Sequence, residues 1–204
     1  MELSNLENFE EEDFIHLQGS SYLAVKYLSI EQIIHLLKIN SLFIKDYKDA
    51  FDYLFDNKNV VEDKSQLKII LCDLKNDWIF IYSEFGYQTG IDVIERLLIN
   101  EKIIANYYFS DSCVDGYEWI ISNGGKIQRK FKYLMGDILE DYGNKITILE
   151  TDYIEYIKGN CNDFIFGGKV FYSILENTCE VKDEQYDNSF KFTIGTIKLS
   201  NYVA

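Results

Sequence analysis

Between residues 67 and 134 the chain repeats one kind of segment. LKIILCDL, DWIFIYSEF, KIIANYYFSD, GYEWIIS and GKIQRKFKYL are short runs rich in Ile, Tyr, Phe and Trp, punctuated by Asn, Asp and Gly. β-Branched and aromatic residues suit a pleated surface, and runs of this length bounded by turn formers predict strands. Strands in such close succession pair antiparallel. One helical pattern interrupts them, QTGIDVIERLLINE, with Ile91, Ile94, Leu97 and Leu98 at helical spacing. The expected fold is α+β, a mainly antiparallel sheet with helices packed on one face.

The segment WIISNGGKIQRKFKYL reads as a hairpin and packs four cations, Lys126, Arg129, Lys130 and Lys132, into seven positions. A two-residue Asn123-Gly124 turn would set Glu118 opposite Arg129 and Trp119 opposite Gln128. A three-residue Asn123-Gly124-Gly125 loop sets Ser122 opposite Lys126, Ile121 opposite Ile127, Trp119 opposite Arg129 and Tyr117 opposite Phe131. The second is preferred for how it sorts the side chains. It gathers Tyr117, Trp119, Ile121, Ile127, Phe131 and Tyr133 on one face, and Glu118, Ser122, Lys126, Gln128, Lys130 and Lys132 on the other. A half-buried strand selects its register by that segregation. The three lysines then form a solvent stripe, with Lys130 opposite Glu118. Arg129 turns inward, stacked on Trp119 and in need of a carboxylate at the core margin, so both residues are assigned structural roles.

Upstream, SYLAVKYL fits strand or helix equally. Ser29 followed by Gln32 spells a capping box, opening a helix over IEQIIHLLKI that buries Ile30, Ile33, Ile34 and Leu37 and leaves His35 beside Glu31 in solvent. A second helix fits DYKDAFDYLFD, with Tyr47, Ala50, Phe51 and Leu54 inward and Asp49, Asp52 and Asp56 outward. After Gly143 come KITILE, a helical DYIEYIK, an apolar FIFGGKVFYSIL and a last strand in NSFKFTIGTIKL. Residues 1–19 carry six acids and no Lys or Arg, and read as an acidic N-terminal arm preceding a single α+β domain, 20–204.

Of the 204 residues, 34 are acidic and 20 basic, for a net charge of −14. Binding a polyanion needs a basic footprint, so direct contact with nucleic acid is not expected. An acidic surface favours a basic protein partner. No run approaches the length of a membrane helix, and the acidic N-terminus does not resemble a signal peptide; the expected location is the cytoplasm. The four cysteines, at 72, 113, 161 and 179, form no Cys-x-x-Cys motif. The two histidines, His16 and His35, form no metal-ligand pair, and the hydrolase, zinc-protease and nucleotide-binding motifs are missing. The chain is not expected to be an enzyme or to carry a cofactor or metal. The exception to watch for is a pocket that brings His16 or His35 beside Cys113.

The succession DYKDAFDYLF, DWIFIYSEFG, LLINEKIIANYYFSD, GYEWIISNGGKIQRKFKYLMGDILEDYG and TILE resembles an uncharacterised bacterial family across roughly residues 46–150. Its hairpin pattern W…nG…R…Y, with a later Gly and Glu, is matched here by Trp119, Gly124, Arg129, Tyr133, Gly143 and Glu150, and its Trp-led strand by Trp78. The acidic arm and the C-terminal third depart from it. Proteins similar to this are often encoded beside secreted polymorphic toxins, where they look like immunity proteins of interbacterial competition. The resemblance implies a protein that neutralises a cognate, basic toxin by binding over its active site, and it brings no catalytic residues. Acids assigned to that contact are Asp49, Asp52 and Asp56 on the second helix, and Asp111, Asp115, Glu118, Asp137, Glu140 and Asp141 around the hairpin ends. An acidic DNA mimic of phage or mobile-element origin is the alternative, and an enzyme with an unrecognised site the third.

Overall fold

The computed structural model describes residues 20–45, 47–55, 66–73, 77–83, 87–111, 114–160, 167–179 and 192–198. Along them run β1 (Ser20–Lys26), α1 (Ile30–Leu37), β2 (Asn40–Lys45), α2 (Tyr47–Phe55), β3 (Gln66–Asp73), β4 (Trp78–Ser83) and α3 (Tyr87–Leu97). Then follow β5 (Ile104–Asp111), β6 (Gly116–Asn123), β7 (Lys126–Leu134), β8 (Asp137–Gly143), α4 (Ile148–Ile157), α5 (Gly167–Cys179) and β9 (Phe192–Lys198). The acidic arm 1–19, with His16, lies outside the described residues, as do Asp56 and Cys113.

The strands form one sheet in the order β2-β9-β3-β4-β1-β5-β6-β7-β8, antiparallel at every pairing. The α+β expectation therefore holds, but helices lie on both faces of the sheet, not on one. β1 shows why. Tyr22 and Ala24 enter one core and Leu23 and Val25 the other, and all four are fully buried. Central strands covered on both sides read as continuous apolar runs, and LAV and WIFIY carry that signal.

The two cores differ in chemistry. One is aromatic and is closed by α2, α4 and α5. In it Tyr22 stacks on Phe80 and Tyr108 with ring centroids 5.4 and 5.3 Å apart, and Phe171 of α5 meets Tyr108 edge-on at 6.2 Å. Such pairs contribute about 0.5–1.5 kcal/mol each beyond the area they bury. The other core is aliphatic, with Ile69, Leu71, Ile79 and Ile81 beneath Ile33 and Leu37 of α1 and Ile94 and Leu97 of α3.

α1 opens as expected: Ser29 Oγ accepts from the Gln32 amide, and the Ser29 amide donates to Gln32 Oε1 at 2.8 Å. It ends earlier than the apolar pattern, because Lys38 turns left-handed and the chain leaves through Ile39 toward β2. SYLAVKYL resolves into strand β1, and the last strand falls in NSFKFTIGTIKL as β9. The two edge strands, β2 and β8, carry no sequence pattern strong enough to have announced them.

The hairpin register differs from the preferred one. Gly124 and Gly125 form a two-residue turn with φ of +58° and +71°, so Asn123 faces Lys126. Two successive left-handed residues match the strand twist in a way the three-residue loop does not. Carried through β7 unbroken, this turn would put Lys130 and Lys132 on the aromatic core. A bulge at Gln128 prevents it: beyond it Ile121 faces Arg129, Trp119 faces Phe131 and Tyr117 faces Tyr133. The net slip from the expected register is two residues, which leaves every side chain from 129 to 133 on its expected face. Ile127, on the turn side of the bulge, packs instead against the aliphatic core.

Candidate partner-binding site

Arg129 is the hub of the hairpin. Its side chain is fully buried, and its Nε donates to Glu150 Oε1 at 2.7 Å. Its Nη1 donates to Asp141 Oδ1 at 2.8 Å, to the Tyr142 carbonyl at 2.7 Å and to the Lys130 carbonyl at 2.9 Å. The guanidinium lies over the ring of Phe131, 5.5 Å from its centroid, not over Trp119 as expected. The Trp119 indole stacks on Phe131 at 4.3 Å and donates Nε1 to the same Glu150 oxygen at 3.0 Å. The carboxylate expected at the core margin is thus Glu150, shared by both residues. Arg129 Nη2 has no hydrogen-bond partner among the described residues; the ring face of Phe131 offsets part of that loss.

Glu150 is held by its own helix. Thr147 caps α4 and accepts from the Glu150 amide at 3.1 Å, which sets Glu150 in the first turn. There a carboxylate is favoured by the helix dipole, and its Oε2 accepts the Ile146 amide at 2.6 Å. Thr147-x-x-Glu150 has the spacing of a capping box, a signal from which the start of α4 was readable.

On the outer side of the cluster Asp141 accepts from Arg129, from Lys158 at 3.2 Å and from Lys145. Partial burial pushes its carboxyl upward, but the hydrogen bonds from Lys145, Lys158 and Arg129 outweigh it and hold the group at about 2. Trp119, Arg129 and Glu150 therefore converge, and Gly143 sits directly opposite Arg129. Every oxygen of Glu150 and Asp141 is occupied. The cluster binds α4 and β8 to the hairpin and offers no free base or nucleophile.

The lysine stripe is a ladder of opposite charges. Lys132, not Lys130, faces Glu118, at 2.8 Å. Lys130 faces Ile120 and reaches Glu140 at 4.0 Å. Glu118, which also accepts from Tyr107 Oη at 3.3 Å, is only 8% exposed. Glu118 is thus spent inside the fold, and the carboxylate of Asp141, an exposed residue, is spent on Arg129, Lys145 and Lys158.

The other assigned acids fall in two places. Asp49 and Asp52 are exposed on α2, which packs over β3 and β9; Asp49 pairs with Lys45 at 3.6 Å. Asp111, Gly116, Leu134 and Asp137 form one row across β5 to β8, with Asp115 beside it and Glu140 further along β8. Asp115 accepts from Tyr133 Oη at 2.8 Å; burial, that bond and the Asp115 charge push the Tyr133 phenol up. Three strand intervals separate β3 from β5, roughly 14 Å at ordinary sheet spacing. The acids of the two ends do not form one continuous surface.

Exposed apolar side chains accompany the second group. Met135, in the turn before β8, is 75% exposed, and Leu139 and Tyr142 on β8 are 55% and 59% exposed. Asp137 beside them is exposed as well.

A third acidic group escaped the sequence reading. Glu31, Asp73 and Asp77 line an open cleft of about 400 Å³ with Ser29, Gln32 and Ile79. Burial, then the neighbouring Asp77 and Glu31, push the Asp73 carboxyl up. The contributing residues are too far apart in sequence to have signalled it. No group of three His, Cys, Asp or Glu side chains among the described residues is placed to hold a metal ion. His35 is exposed on α1, and Cys72 and Cys179 are buried thiols.

No family model, curated protein or solved structure matches this chain. No described helix is long and apolar enough to cross a membrane.

Proposed function

We propose that this chain is an immunity protein that binds a cognate, basic toxin in the bacterial cytoplasm and neutralises it by occluding its active site. The observation that carries the reading is the β8 border. There Asp137 and Glu140 stand among the exposed Met135, Leu139 and Tyr142, while the carboxylates of Glu150 and Asp141 behind them are already taken up by Arg129. A contact surface needs apolar side chains to desolvate and charges to steer and select, and this border has both. The net charge of −14 accelerates encounter with a basic protein. The dispersal of the acids over two ends of the sheet weighs against the phosphate-mimic alternative, which needs carboxylates in register along one face.

The test is direct. The purified protein is mixed at low salt with the toxin domain encoded by a neighbouring gene, and binding and residual toxin activity are measured. A complex formed below micromolar concentration with loss of toxin activity is expected. Absence of binding at micromolar concentration overturns the proposal.

A further inference from the structure

We infer that β8 is the docking strand, and that the partner adds a basic, extended segment edge-to-edge along Asp137–Gly143. The inference rests on the immunity reading for the identity of the partner, but its chemistry stands on the edge itself.

β8 is the last strand of the sheet, and among the described residues its ladder is made only with β7. The outer backbone groups of such a strand are a template for another chain. The opposite edge is guarded differently. β2 carries a register irregularity between Asn40 and Phe43, and Lys45 stands at its end; a bulge and a lysine are ordinary ways of blunting an edge. β8 has a bulge of its own at Leu139 but no cation.

The charge on β8 selects the occupant. Asp141 is taken up by Arg129, Lys145 and Lys158, which leaves Asp137 and Glu140, the latter shared with Lys130, as the two carboxylates that β8 turns to the face away from the aromatic core. Pairing with a second copy would bring two such sets together, and like charges across a ladder are destabilising. A strand carrying lysine or arginine meets attraction at the same positions. Asp137, Glu140 and Tyr142 face the same side as Leu134, Lys132 and Lys130, opposite to the aromatic core. An incoming strand that alternates basic and apolar residues meets Glu140 and Tyr142 there.

The template is also preorganised. Arg129 grips Asp141 and the Tyr142 carbonyl, and Lys158 grips Asp141 from the C-cap of α4. A strand already fixed in its extended form loses little freedom when it is paired.

The probe is a synthetic peptide of alternating lysine and valine, with an alternating glutamate and valine peptide as control. Each is titrated into the isotope-labelled full chain and followed by amide chemical shifts. The basic peptide is expected to move amides of 137–143 and their β7 neighbours, and the acidic one none. Asp137→Lys with Glu140→Lys weakens the interaction about tenfold, as loss of two exposed ion pairs implies. The neutral pair Asp137→Asn with Glu140→Gln falls between, and Asp49→Lys with Asp52→Lys leaves it unchanged. Shifts centred on α2, or no shifts at millimolar peptide, overturn the inference. So does a dimer in light scattering that the β8 lysine variant dissociates, because a second copy then owns the edge. The neighbouring toxin separates the two proposals. If it binds while β8 amides exchange as fast as in the free protein, the edge assignment fails and the immunity reading stands. If it does not bind while the peptide titrates β8, the immunity reading fails and the edge assignment stands.

Discussion

Arg129 and Glu150, 21 residues apart in the chain, meet as an ion pair at 2.7 Å with neither side chain exposed to solvent. Removing Glu150 takes the acceptor from Arg129 Nε and from the Trp119 indole and leaves the buried guanidinium only its contact with Asp141 as a carboxylate, at a cost of about 3–5 kcal/mol. Glu150→Ala is expected to lose that much in urea unfolding, with a change in Trp119 fluorescence as the indole loses its acceptor. The double variant Arg129→Met with Glu150→Leu leaves no stranded charge at that pair and should be the more stable of the two. Arg129→Lys should fall between wild type and Glu150→Ala, because an ammonium cannot span a carboxylate on each side and two carbonyls at once. A Glu150→Ala protein within 1 kcal/mol of wild type, on the scale just given, would show that the pair is not what holds α4 down.

Asp141 predicts an acid-sensitive step. Its carboxyl stands at about 2, against 3.8 ordinarily, so the folded state takes up this proton less readily than the unfolded chain. The stabilisation is therefore complete above about pH 4 and is lost as pH falls toward 2. Thermal unfolding followed between those values should show wild type losing stability more steeply than Asp141→Asn. Parallel curves would mean that the contacts with Lys145, Lys158 and Arg129 contribute nothing net.

Gly143 and Gly124 both have positive φ, yet they should respond differently to substitution. A Cβ at Gly143 would stand 1.9 Å from the carbonyl oxygen of bulged Gln128, with φ at +84°. Gly143→Ala combines left-handed strain with a backbone clash and should cost about 2–4 kcal/mol. At Gly124, φ is +58° and nothing lies within 4 Å. Gly124→Ala should cost only about 1 kcal/mol, and Gly124→Asn less, since Asn visits the left-handed region. Melting temperatures of the three variants check the order; equal losses at 143 and 124 would remove the bulged carbonyl as the cause.

The inward face of Arg129 was legible in the sequence although the register was not. Side-chain facing depends on parity, and the true pairing differs from the preferred one by two residues. Glu150 as the partner was harder to see, because only a local capping signal marks it and its approach to Arg129 is a tertiary event. β8 went unseen because DILEDYG is acidic and poor in β-branched residues, as an edge strand tolerates when one neighbour supplies the pairing. The second layer of helices was hidden differently: an apolar run such as WIFIY shows that both faces are covered, not which segments cover them. Among the acids, engagement with the fold's own cations could not be read from charge. Glu118 and Asp141 look like Asp137 in sequence, and only the cross-strand lysines and Arg129 distinguish them.

Two buried thiols give the last prediction. Burial pushes Cys179 up to about 11 and Cys72 up to about 12. Cys179 is further enclosed by Tyr108 Oη at 2.9 Å and by the Asn106 amide at 3.8 Å. Only the thiolate alkylates, so at pH 8 both residues expose about one reactive form in a thousand or fewer. Iodoacetamide labelling resolved by peptide mapping should leave both unmodified in the native protein and modify them fully in denaturant. Raising the pH from 8 to 9 should speed labelling of the unfolded chain only about threefold and of either native thiol up to about tenfold, while native labelling stays far the slower of the two. If Cys179 is labelled in the native protein as fast as in the unfolded chain, α5 does not stay closed over β5 and the aromatic core is not sealed at that end.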